Sequence, residues 1–70
     1  MIDVEVGEEV VRYLAGKIAM RLKVTEVTED LITCAGGWTF DPATGVEIDE
    51  DLGWGPRYGV TGSFIEKAKE

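Results

Sequence analysis

Between Lys17 and Thr25 the chain alternates without a break. Ile18, Met20, Leu22 and Val24 take one parity, and Lys17, Ala19, Arg21, Lys23 and Thr25 take the other. Only extended backbone has a period of two, so the stretch reads as a β-strand with one packed face and one wet face. Val27 then falls on the wrong parity. A β-bulge or sharp bend near Thr25–Glu26 returns it to the packed side. Small barrels bend a long strand in this way, so the pattern points to a mainly β, strongly curled domain.

Seventy residues make one domain. Such a chain leaves much of its apolar area in water, and its core is small. One cysteine and no histidine exclude an internal disulfide and a cysteine–histidine zinc site. Packing or self-association must supply the stability, which makes a homodimer an expectation. No apolar run reaches the length of about eighteen residues that a membrane helix needs, and the acidic start lacks the pattern of a signal peptide. The expected compartment is the cytoplasm, with no membrane association. Fourteen acids against seven bases leave a net charge of -7, which discourages long-range attraction to nucleic acid or anionic lipid.

The remaining chain supports the β reading. Ile2, Val4 and Val6 alternate with acids and predict a short strand ended by Gly7. Residues 8–15 read as a strand, with Val10, Arg12 and Leu14 on one face and Val11 and Tyr13 on the other. Val10, Val11 and Leu14 also have helical spacing, with Gly16 as a cap. Ala15–Gly16 reads as a turn, Thr28–Asp30 as another, and Leu31–Cys34 as a returning strand. Ala35–Gly37 forms a corner. A second hairpin follows, in which Trp38 and Phe40 pack across from Ile48 and Val46 around the turn Asp41–Gly45. Gly62–Ile65 reads as a last strand, although Ser63–Glu66 also fits a helix capping box. The expected domain covers residues 1–66, with 67–70 frayed. Its predicted core is Val4, Val10, Leu14, Ile18, Met20, Leu22, Val24, Trp38, Phe40, Val46 and Ile48, with Cys34 as a small core residue.

No motif carries chemistry. Asp49, Glu50 and Asp51, with Glu47 nearby, supply carboxylates. However, Ala43, Gly45 and Leu52 stand where a calcium loop needs ligands, so an EF-hand is excluded and no metal or cofactor is expected. The same acids lie on one segment, without the opposed pair a glycosidase needs. No glycine pattern matches a phosphate loop. Cys34 has no histidine to activate it. The chain is therefore expected not to be an enzyme.

Two surface groups remain. Leu52, Trp54, Arg57 and Tyr58 combine the residue types that dominate binding hot spots, with Asp49, Glu50 and Asp51 as a charged rim. Lys17, Arg21 and Lys23 share one strand face, and Arg12 adds a fourth charge from the neighbouring strand. This set offers an alternative nucleic-acid site.

The order G-E-E-V-V-R-Y-L-A-G followed by M-R-L-K-V-T-E-V-T-E-D-L-I-T-C resembles the opening of small bacterial SH3-like barrel proteins, over residues 7–34. Residues 38–55, W-T-F-D-P-A-T-G-V-E-I-D-E-D-L-G-W-G, are similar to a stretch of short uncharacterised bacterial or phage proteins, which carry no activity to transfer. The resemblance implies an SH3-like barrel of five or six antiparallel strands. Such barrels bind peptides or nucleic acid, or serve as structural appendages. The expected function is a non-enzymatic protein-interaction or self-association module, with a nucleic-acid-binding module as the alternative.

Overall fold

The computed structural model describes residues 2–68. Five strands form the fold: β1 (Glu9–Leu14), β2 (Lys17–Val27), β3 (Ile32–Cys34), β4 (Trp38–Phe40) and β5 (Ser63–Lys67). All neighbouring pairs are antiparallel, in the order β4-β3-β2-β1-β5. The sheet curls strongly into a half-barrel because the long β2 pairs with β1 along its first part and with β3 along its last. Segment 8–15 is thus a strand, as its β-branched and aromatic residues favour. The last element is a strand as well. Residues 69 and 70 of the tail expected to fray lie outside the described residues, while Lys67 belongs to β5 and the Ala68 amide donates to the Glu9 carbonyl at 3.3 Å.

The bulge expected in β2 is present. Val24 pairs with Cys34 and Glu26 with Thr33, so Thr25 is the extra residue and Val27 pairs with the buried Ile32, but at the end of the strand Val27 itself stays 39% exposed instead of packed. The β1–β2 turn at Ala15–Gly16 has φ of 54° and 80°. Two positive angles in a two-residue loop match the right-handed twist of the strands it joins. The Thr28 hydroxyl caps the next turn by accepting from the Asp30 and Leu31 amides at 3.2 and 3.0 Å.

Residues 45–48 lie between the two edges of the sheet and hydrogen bond to both. Asp41 and Ile48 amides donate to the Val46 and Thr39 carbonyls on the β4 side, at 2.8 and 2.9 Å. Glu47 and Ile65 amides donate to the Ser63 and Gly45 carbonyls on the β5 side, both at 2.8 Å. An otherwise open sheet edge is a template for pairing with other chains, and this segment covers both.

The core consists of Val4, Val10, Leu22, Val24, Ile32, Cys34, Phe40 and Ile65, with Ile2, Met20 and Trp38 packed against it. The structure departs from several expectations. Residues 2–6 form no strand: Ile2 and Val4 pack inward from an irregular segment, while Val6 is exposed. Leu14 and Ile18 are exposed at 42% and 69% instead of buried. Val46 and Ile48 are only half-buried. The reason for the last is a register one residue from the expected one. Phe40 pairs with Glu47, and a one-residue slip exchanges the two faces of a strand.

Candidate interaction surface

Two irregularities decide what the outside of the sheet presents. Arg12 pairs with Met20 but Tyr13 pairs with Ile18, so Ala19 is an extra residue and the parity of β2 inverts there. Ile18 consequently shares the outer face with Tyr13. Tyr13 pairs across to Phe64 on β5, and Phe64 pairs with Val46 on the closing segment. Directly paired residues point to the same face, so Ile18, Tyr13, Phe64 and Val46 form one apolar row across β2, β1, β5 and the closing segment. At the usual strand spacing the row is roughly 14 Å wide. The Tyr13 and Phe64 rings stack with centroids 5.1 Å apart and an interplanar angle of 16°. Beyond Val46 the row opens into a pocket of about 260 Å³, lined by Thr44, Val46, Gly55, Pro56, Gly59, Val60 and Thr61.

The adjacent outer row is Arg21–Val11–Glu66, with one charge on each side of a buried valine. Arg21 Nε and Nη2 donate to Glu9 Oε1 at 3.3 and 2.9 Å. Lys67 Nζ lies 3.6 Å from Glu8 Oε2, and Lys23 stands opposite Glu9. The expected basic stripe is divided by the bulge at Ala19. Lys17 pairs with Leu14 and has the parity of the inner face, whereas Arg21 and Lys23 have that of the outer. All three are exposed.

Arg12 does not join that stripe. It points inward, is 6% exposed, and donates through Nε to Glu47 Oε1 at 2.7 Å. Glu47 is 2% exposed. The Arg12 guanidinium carbon lies 4.3 Å from the Trp38 ring centroid, so the indole face covers the pair. Glu47 comes from the closing segment and Arg12 from β1, so this ion pair ties the closure to a strand one in from the β5 edge.

The residues expected as an apolar anchor sit on two successive turns. The Asp49 and Trp54 amides donate to each other's carbonyls, at 3.0 and 2.9 Å, and close the first turn. Asp49 Oδ1 caps it by accepting from the Asp51 and Leu52 amides at 3.0 and 3.2 Å. Glu50, Asp51 and Leu52 are exposed. Trp54 folds back: a Cβ on Gly62 would lie 2.9 Å from its Cζ2, so the indole, half-buried, packs against that glycine. Arg57 and Tyr58 occupy the second turn, their guanidinium and ring 5.6 Å apart, with Tyr58 exposed. None of the four lines the apolar pocket, although Gly55, Pro56, Gly59 and Val60 from the same turns do.

Cys34 is 1% exposed, and its burial pushes the thiol up to about 11. A thiol held protonated is a poor nucleophile. Among the described residues, no three Cys, Asp or Glu side chains gather as a metal-ligand group.

Sequence reasoning misses the outer row because it needs both irregularities at once. Simple alternation puts Tyr13 outward but Ile18 and Val46 inward. No family model matches this chain, and neither a curated protein nor a solved structure shows similarity to it.

Proposed function

We propose that this chain is a non-enzymatic protein-interaction or self-association module built on an SH3-like barrel. The outer apolar row and its pocket are the binding surface. The reading rests on one observation: Ile18, Tyr13, Phe64 and Val46 are adjacent on the outside of the sheet and lead into an apolar pocket. Scattered exposed apolar residues are ordinary, but an aligned row joined to a concavity, with charges along one side, has the anatomy of an interface. Leu52 and Tyr58, exposed on the neighbouring turns, add apolar area, and Glu50 and Asp51 add charge. Trp54 supports the turn against Gly62, which makes it a scaffold residue more than a contact residue.

The competing reading uses Lys17, Arg21 and Lys23 for nucleic acid. It draws support only from their exposure, because Arg21 is already paired with Glu9 and Lys17 has the opposite parity.

Selection of displayed peptides against the immobilised protein tests the interaction reading. Selected peptides are expected to lose about tenfold or more in affinity with Ile18→Glu or Val60→Asp, both at exposed positions. Binding insensitive to both substitutions overturns the assignment. A salt-sensitive shift with single-stranded or duplex nucleic acid, lost on reversing Lys17, Arg21 and Lys23, favours the competing reading instead.

A further inference from the structure

We propose that the occupant of the outer face of β2–β1–β5 is a second copy of this chain, related by a two-fold axis running along β1; this rests on the interaction reading above and names its partner. Arg21 on β2 and Glu66 on β5 both pair directly with Val11 of β1, one strand away on opposite sides. A two-fold axis along β1 exchanges those two sides. In face-to-face packing it sets Arg21 of one copy over the partner's Glu66, and Glu66 over the partner's Arg21. The same rotation sets Ile18 over the partner's Phe64 and brings the two Tyr13 rings together. A surface whose own charges are exchanged by the symmetry operation is self-complementary, as an isologous interface requires. Glu66 has no ion-pair partner among the described residues of its own chain. Arg21 shares Glu9 but keeps a side chain that is 53% exposed.

Net charge points the same way. On the outer face around Val11, Arg21 and Lys23 are matched by Glu9 and Glu66, two bases against two acids. The other twelve acids and five bases therefore hold the whole net charge of -7. Two copies repel each other at most orientations, and this balanced face is one where they can approach. The outer surface of a curled sheet is convex, so contact is confined to the central rows. A small interface of that kind gives a weak, exchanging dimer, with a dissociation constant on the order of 10 µM to 1 mM.

Sedimentation equilibrium of the full chain, from about 10 µM to about 1 mM, tests the proposal. The wild type is expected to show a concentration-dependent dimer that Ile18→Glu abolishes. Arg21→Glu and Glu66→Arg alone each weaken the dimer by about tenfold. An equimolar mixture of these two variants recovers it, because only the heterodimer sets opposite charges against each other at both contacts. Circular dichroism of each variant checks that the fold is kept, as expected for exposed positions. A wild type that stays monomeric, a dimer that survives Ile18→Glu, or a mixture no tighter than its components overturns the proposal. A monomer that still binds selected peptides through Ile18 overturns only the second copy and leaves the interaction reading standing.

Discussion

Arg12 occupies a strand position whose neighbours Val10 and Leu14 share its parity, and it turns inward with its charge, as Val10 does. Removing a guanidinium and a carboxylate from water is costly, and their short contact and the Trp38 face offset that cost only while both partners remain. Glu47→Ala is expected to destabilise the fold by about 3–5 kcal/mol, since it leaves Arg12 buried and uncompensated. Stability at this chain length is only about 4–10 kcal/mol, so the variant sits close to unfolding. Urea titration checks this, and Arg12→Met with Glu47→Leu should recover most of the loss. Recovery separates the penalty of an orphaned charge from a true contribution of the pair. Cys34 gives a second test. Its folded pKa, about 11, lies above the ordinary value of 9.0. The native state therefore holds the proton more tightly than the unfolded chain. The stability contributed by the neutral buried thiol is complete below about pH 9 and is lost as pH rises through about 11. Unfolding titrations across that window should show the wild type losing more stability than Cys34→Ala.

The strands follow from alternation and turn chemistry, but their registers follow from local accidents. Ala19 bulges opposite β1, and the loop after Asp41 has four residues between the paired Asp41 and Val46, where simple alternation places five between Phe40 and Val46. Each event inverts one strand segment. Together they send Ile18 and Val46 outward and Glu47 inward, and neither event has a composition cue strong enough to read in advance. Gly45 marks the point where the closing segment crosses β5. Its φ is 82°, and a Cβ there would meet Ile2 and lie 2.9 Å from the Ile65 carbonyl oxygen. Gly53 has a comparable φ of 71° with open space around it. Gly45→Ala is expected to cost about 2–4 kcal/mol, strain plus collision with backbone that cannot yield. Gly53→Ala should cost about 1 kcal/mol, from conformation alone. Thermal unfolding of the two variants side by side checks the difference, and equal losses would mean that the closing segment is not held against β5.

At the scale of the molecule, a curled sheet closed by residues 45–48 turns two strand edges inward and leaves one broad outer face. Charge balance, apolar exposure and the pocket all meet on that face, although their residues come from β1, β2, β5 and the turns before β5. The anchor read from sequence is centred on Trp54, whose indole packs against Gly62. Residue chemistry and short-range period determined the β class, most strand positions, the bend in β2, the buried thiol and the exposure of the acidic turn. These depend on neighbours within a few residues, which a sequence displays directly. Tertiary structure decided which face each strand turns inward, that Arg12 and Glu47 meet across thirty-five residues, and that four apolar side chains align outside. Those depend on register between distant segments, and a slip of one residue reverses a face while leaving every local pattern unchanged.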